Sequence, residues 1–316
     1  MNTLQISISE FLFHCQFEKN LNIKTLKAYK IDLLQLNNFL LQKKYSNEIT
    51  QITKNELREF LASMSNLKPK SIKRKVASAK ALFNYLEFED QLQINPFRRM
   101  RIKIKDFKRL PLVMDMCEIT QIFKIVYNKP KTKNECSFSY FEAIRNIAII
   151  ELLFNTGARV SEISNLRVDS VDLDAGSILI KGKGSKERTV QICNKETIKA
   201  LAHYDDLCKD RIASRGGVFL VNRLGRKLSD QSIRAIVKKI VENTTISKHI
   251  TPHIFRHSLA TLLLEKDVSL RHIQTILGHS SITTTQIYTH INPENQRQIL
   301  KAKHPRKDFT MKVLIS

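Results

Sequence analysis

The stretch from Thr251 to His290, TPHIFRHSLATLLLEKDVSLRHIQTILGHSSITTTQIYTH, leaves the chain few ways to fold. Pro252 has no N–H to donate, which suits a first helical turn, so a helix is expected from His253 through Glu265 with Thr251 as its cap. Ser269 opens a second helix with Leu270, Ile273, Ile276 and Leu277 on one apolar face, and Gly278 stands where a left-handed residue stops it. His279 follows the stop. After Ser280 and Ser281 a third, short helix is expected, anchored by Ile282 and Ile287, with Tyr288 projecting from its end. Two sharp turns can return His279 and Tyr288 to His253 and Arg256. The latter two are three residues apart, share a helix face and sit near a helix N-terminus, where the dipole favours an anion. The expected target is a phosphate. His253 and His257, four apart, also permit a metal reading, but the glutamate of an HExxH site is missing and Arg256 would set a permanent positive charge beside the cation. No metal site is expected.

Composition narrows the partner. Fifty-three Lys and Arg against 30 Asp and Glu give a net charge of +23 on a chain that is otherwise 42% hydrophobic, a balance that calls for a polyanion. No apolar run approaches the ~20 residues of a membrane span, and no N-terminal signal pattern is present, so nucleic acid is favoured over membrane and a cytoplasmic, nucleoid-associated location is expected. At 316 residues, two domains are expected rather than one. Cys15, Cys117, Cys136, Cys193 and Cys208 are odd in number and form no CxxC pair, which points to free thiols.

Residues 1–97 read as a four-helix domain. Asn22 can cap a helix with Leu26, Tyr29, Leu33, Leu36 and Leu40 on one face, and Thr53 with Glu56 makes a capping box for the next. The last helix, about Lys70 to Phe88, turns Ile72, Val76, Ala79, Phe83 and Leu86 inward and Lys70, Lys73, Arg74 and Lys80 outward. Since Lys68 to Lys80 holds no acid, that face is assigned to phosphate contact. Residues 98–111 are a linker. Arg98 to Arg109 holds seven basic residues (among them Arg98, Arg99, Arg101, Lys103 and Lys105) and one acid, so it is expected to lie along a duplex that neutralises it.

Residues 112–316 read as a second, mixed domain. Helices are expected over Met114–Tyr127 and Glu142–Asn155, separated by an exposed loop from Asn128 to Ser139; the second stops at Thr156-Gly157. Arg159 emerges at that stop, either paired with Glu162 or awaiting a phosphate. Ser177–Ile180 and Thr189–Ile192 read as strands flanking KGKGSKER, a mobile hairpin turn that carries Lys183 between two glycines, and Val218–Val221 can add a third strand. At the end, Asn292 and Pro293 start a helix to about Lys303 whose apolar side holds only Ile299, Leu300 and Ala302. It is too poor to stand alone and must dock.

Together Arg159, Lys183, His253, Arg256, His279 and Tyr288 suit one reaction. Arginines hold the non-bridging oxygens of a DNA phosphate by bidentate contact, a phenol attacks phosphorus, and a lysine protonates the departing 5′ oxygen while His253 helps deprotonate the phenol. No cofactor is needed. TGARVSEI, KGKGSKER, HIFRH, LGHSS and TQIYTH, in this order, resemble the successive motifs of the tyrosine recombinases, or phage integrases, and the resemblance covers nearly the whole chain. It implies Arg159 and Arg256 as phosphate-binding arginines, Lys183 as general acid, His253 and His279 as assisting histidines, Tyr288 as nucleophile and Glu162 as a supporting residue. The implied architecture is mainly α with a small antiparallel β-sheet: a two-domain DNA clamp with an N-terminal SAM-like helical core-binding domain and a C-terminal α+β catalytic domain. Its implied partners are double-stranded DNA and further protomers, a dimer per site and a tetramer on paired sites, with room for a second recombinase or a regulatory protein. The implied reaction passes through a 3′-phosphotyrosyl intermediate and a Holliday junction, in chromosome dimer resolution or in integration and excision of a mobile element. The chain is expected to begin directly in the core-binding domain, as in simple, Xer-like members. The resemblance also favours docking of the tail helix on a neighbouring protomer. Two departures stand out: the Asn128–Ser139 loop is long, and Asn146 takes a place where aspartate is common. A non-catalytic DNA-binding protein on this scaffold would not need all six positions filled. A type IB topoisomerase-like enzyme would act without a second site or a multimer.

Overall fold

Apolar residues spaced three and four apart build the first of two units in the computed structural model, which describes residues 3–105, 112–182, 187–212, 214–278 and 293–311. The units span Met1–Arg109 and Leu110–Ser316. The first holds α1 (Leu4–Phe17), α2 (Ile23–Gln42), α3 (Lys54–Ser63) and α4 (Pro69–Phe88). Asn22 caps α2 by accepting from the Lys24 N–H, Thr53 and Glu56 form the expected capping box on α3, and Pro69 opens α4. Leu33, Leu36 and Leu40 of α2 meet Leu82, Phe83 and Leu86 of α4 in a fully buried core that α1 closes with Leu4, Ile8 and Phe11.

Among the described residues of this unit, one carboxylate is buried. Asp32 of α2 is buried and takes hydrogen bonds from Arg74 at 2.7 Å, Lys75 at 3.1 Å and Ser78 at 2.9 Å, all from α4. A buried charge is tolerated only with partners of this kind. Arg74 stays exposed with Lys70 and Lys73, but its guanidinium is tied to Asp32; Lys80 is half-buried. The chain after α4 also differs from a free-running strand of charge. Phe97 packs edge-on against Phe83, and Met100, Ile102 and Ile104 turn toward the same core while Arg101, Lys103 and Lys105 stay exposed. Period-two alternation holds this basic segment against its own helices, with the charges outward.

The second unit is arranged around α6 (Phe138–Thr156), which is buried on nearly every side by α5 (Met116–Asn128), α8 (Lys195–Arg211) and α10 (Pro252–Glu265). Asp115 and Ser137 cap α5 and α6, each accepting from a backbone N–H three residues on, so both helices begin away from the Met114 and Glu142 starts that apolar periodicity suggests. α7 (Val160–Ser164), α9 (Asp230–Val241) and α11 (Leu270–Leu277) complete the shell. The sheet is antiparallel, ordered β1 (Val171–Asp172), β2 (Ser177–Lys181), β3 (Glu187–Gln191), with Ile178 opposite Val190 and Ile180 opposite Arg188. Its third strand is Val171–Asp172 and not Val218–Val221. The latter segment is buried behind α8 and makes only single bridges, Val218 to Arg167 and Val221 to Lys227, because the Tyr204 hydroxyl occupies the Val221 N–H and the Phe219 carbonyl.

Within the chain, the tail helix α12 (Pro293–Lys303) packs against β3 of its own unit, with Leu300 fully buried. The reason lies beyond the helix. Glu151 of α6 is completely buried and is met by Tyr127 at 2.6 Å, Thr197 at 2.8 Å, Asn155 at 2.8 Å and the equally buried Arg306 at 2.8 Å. The Arg306 guanidinium also lies 4.6 Å from the Phe309 ring centroid and 5.0 Å from that of Phe123. His304 is sealed beside it, accepting from the Arg306 N–H, and burial pushes its imidazole down to about 4. Removal of Arg306 would strand the Glu151 charge. Arg306→Met is expected to destabilise the chain by about 3–5 kcal/mol in urea unfolding, and Arg306→Met combined with Glu151→Met to recover much of that loss. A single variant within about 1 kcal/mol of the wild type would show that the charge does not depend on the tail.

Candidate active site

Gly157 ends α6 with a left-handed backbone (φ +56°), and a Cβ there would lie 2.4 Å from a methyl of Leu277 and 3.0 Å from one of Leu259. The turn can therefore be made only by glycine. It sets the Gly157 carbonyl 2.8 Å from Nη1 of Arg256, which α10 carries inward among Phe255 and Leu259 with 2% of its surface exposed. Burial, and after it the charges of Arg159 and Arg188, push the Arg256 guanidinium down to about 10, still fully charged at neutral pH. Such a buried cation is expensive unless negative charge is near. Arg159 immediately follows this turn as the N-cap residue of α7 and remains 40% exposed, so the two arginines offer one buried and one open guanidinium at a single place.

Glu162 answers the alternative posed by Arg159. Its Oε1 accepts from Arg159 Nη1 at 2.8 Å, and its Oε2 accepts from the Arg159 backbone N–H at 2.9 Å and from Arg188 Nη2 at 2.8 Å. Burial alone would raise the carboxyl, but the Arg188 hydrogen bond and charge, aided by Arg159, bring it below the ordinary glutamate range. Glu162 is therefore ionised and fixed. Arg188 was not singled out by the motifs; the signal is that it falls on the same strand face as Val190 and Ile192, an inward position where a charge needs a partner.

His253 stands in the first turn of α10, exposed at one edge, its ring centroid 4.5 Å from that of His257. Thr251 precedes the helix in extended conformation but makes no side-chain cap. Partial burial, followed by His257, Arg256 and Arg159, lowers the His253 imidazole below the ordinary histidine value, so it is neutral at physiological pH and able to accept a proton. No group of three or more His, Cys, Asp or Glu able to hold a metal is found among the described residues. Lys183, His279 and Tyr288 lie outside the described residues; the hairpin strands β2 and β3 and the end of α11 at Gly278 are the elements they adjoin in sequence. In the first unit Lys70, Lys73, Arg99, Arg101, Lys103 and Lys105 are exposed, whereas Arg98 pairs with Glu87 at 2.8 Å.

This arrangement has relatives. The model of the phage integrase family matches residues 117–295, and that of the phage integrase N-terminal SAM-like domain matches residues 8–90. A tyrosine recombinase of Agathobacter rectalis is 42% identical over 98% of this chain and 99% of its own length. The tyrosine recombinase XerC of Oceanobacillus iheyensis is 33% identical over 97% of this chain and 98% of its own. In fold, the chain is similar to a XerH site-specific recombinase solved with its difH substrate (TM-score 0.68, 24% identity, 92% of this chain and 83% of that one). It is likewise similar to a lambda integrase fragment solved as a dimer on a core site (TM-score 0.69, 17% identity, 92% and 100%). Two family models in the expected order, and relatives matched nearly end to end, place the chain in a family: it belongs to the phage integrase family of tyrosine recombinases.

Proposed function

We propose that this recombinase cleaves and rejoins DNA strands at paired specific sites through a phosphotyrosyl link. The observation that carries the reading is the convergence of Arg159 and Arg256, 97 residues apart in sequence, on one turn, with Glu162 fixing the first and the Gly157 carbonyl the second. Two guanidiniums so placed suit the non-bridging oxygens of a scissile phosphate, and they gain most when charge builds there in the transition state. The Tyr288 oxygen forms a bond to phosphorus as the bond to the 5′ oxygen breaks. His253, neutral at physiological pH, accepts the phenol proton, Lys183 gives a proton to the leaving oxygen, and His279 assists at the phosphate. The DNA 3′ phosphate stays on the tyrosine until a 5′ hydroxyl from the second site displaces it. The phosphodiester energy is thereby kept, and no cofactor enters.

DNA is the partner that the +23 charge supports. On the first unit, the exposed Lys70 and Lys73, with Lys80, and the outward row of Arg101, Lys103 and Lys105 suit phosphate contact, with Arg99 alongside. Arg74 and Arg98 share their charge with Asp32 and Glu87 and suit it less. Strand exchange between two sites calls for four protomers, two on each site, either copies of this chain or copies mixed with a second recombinase. The relatives named XerC favour a Xer-like role in the cytoplasm, at the nucleoid, in chromosome dimer resolution over movement of a mobile element.

A library of nicked duplexes traps such an enzyme, because the short fragment released by cleavage diffuses away before religation. Wild type is expected to yield denaturation-resistant adducts carrying a shared sequence, and Tyr288→Phe to bind DNA equally and yield none. Adduct from Tyr288→Phe would refute the nucleophile. Lys183→Ala is expected to slow cleavage of ordinary DNA far more than of DNA whose 5′ bridging oxygen is sulfur, which departs without a proton. Equal slowing on both substrates would remove Lys183 from the acid role.

A further inference from the structure

Arg188 touches three elements at once. It stands in β3, which with β2 flanks in sequence the segment bearing Lys183; its Nη2 donates to Glu162 of α7 at 2.8 Å; and its Nε donates to the Ile276 carbonyl of α11 at 3.1 Å. The side chain is 11% exposed, so both bonds are made largely out of water, where a charge-assisted contact is strongest. The last carbonyls of a helix lack intrahelical donors and carry the negative end of its dipole, so a guanidinium there is favoured twice. Gly278 makes the approach possible. It closes α11 with φ +65°, and a Cβ on it would lie 2.9 Å from both Cδ and Nη1 of Arg188.

These contacts connect residues that the reaction uses to one that it does not. Glu162 holds Arg159 through its other oxygen, Lys183 lies five positions before Arg188, and His279 is the residue after Gly278. We propose that Arg188 is a positioning residue of this active site, one planar fork that locks the Arg159–Glu162 pair to the hairpin strand and to the end of α11. The inference rests on the catalytic reading of Arg159, Lys183 and His279 given above. Fork geometry is essential to it: a guanidinium can send N–H groups to a carboxylate and a carbonyl in different directions, whereas one ammonium on a lysine stem can satisfy either but does not span both.

The test uses the full chain, the nicked-duplex library as substrate, and temperatures well below the melting point of each variant. Single-turnover adduct formation, non-covalent DNA affinity and thermal unfolding are measured together. Arg188→Met is expected to slow adduct formation about 100-fold, the scale of an ångström's misplacement of a catalytic group, with affinity unchanged. Arg188→Lys is expected to fall between it and wild type. Arg188→Met combined with Glu162→Gln is expected to be little slower than the worse single variant, since both break one linkage. Adduct formation by Arg188→Met within threefold of wild type, whatever its melting temperature, would overturn the proposal by leaving Arg188 a merely structural ion pair. So would a loss confined to affinity, which would make it a DNA contact. If Arg188→Met does not fold, Arg188→Lys decides, and a wild-type rate from it overturns the proposal. Failure of the wild type itself to form adduct would instead refute the catalytic reading, and this inference would fall with it.

Discussion

Three guanidiniums cannot share a half-buried corner of a protein without negative charge among them, and Glu162 is the carboxylate that lets Arg159 and Arg188 stand beside the buried Arg256. Its two oxygens are divided between the pair, so the carboxylate serves as a template that spaces positive charge. Arg256 takes its order from elsewhere, from the carbonyl at the glycine turn that ends α6. The corner still carries net positive charge. A phosphate entering it would be bound by groups already oriented, which is how preorganised donors lower a barrier without reorganising during the reaction.

A second carboxylate governs the frame behind that corner. Glu151 lies one helical turn and a half before Gly157 on the same α6, and its buried charge draws together Tyr127 of α5, Thr197 of α8 and Arg306 from beyond α12. The segment 279–292, with His279 and Tyr288, is thus bounded in sequence by two helices, α11 and α12, that both pack on one core. Within the chain, the buried Glu151–Arg306 pair ties the segment after α12 to α6. Any exchange of this helix between protomers would have to leave Arg306 in place or find Glu151 another cation.

Much of this was legible in the sequence because it rests on local rules. Asn22, Thr53 with Glu56, Gly157 and Gly278 announce helix ends through the hydrogen bonds and backbone angles they permit, and the Ser177 and Thr189 runs announce a hairpin. What escaped depends on long-range partners. Arg74 reads as surface charge until Asp32, 42 residues earlier, is brought beneath it. Residues 98–105 read as a repelling charge run because the count of bases hides the alternation Met100, Ile102, Ile104 that pins them. Val218–Val221 has strand composition, but a tyrosine hydroxyl takes its backbone bonds. Arg188 and Glu151 were each marked by a charge in phase with apolar neighbours, a sign that a partner exists without any hint of which one.

The central claim is that Tyr288 carries the DNA during strand exchange, at the corner ordered by Glu162. Protease digestion of the trapped adduct, followed by tandem mass spectrometry and end-labelling of the released DNA, measures this directly. The account predicts a single modified peptide with a nucleotide 3′ phosphate esterified to the Tyr288 oxygen, and a free 5′ hydroxyl on the other DNA end. A nucleotide on any other residue, or attachment through a 5′ phosphate, would contradict it.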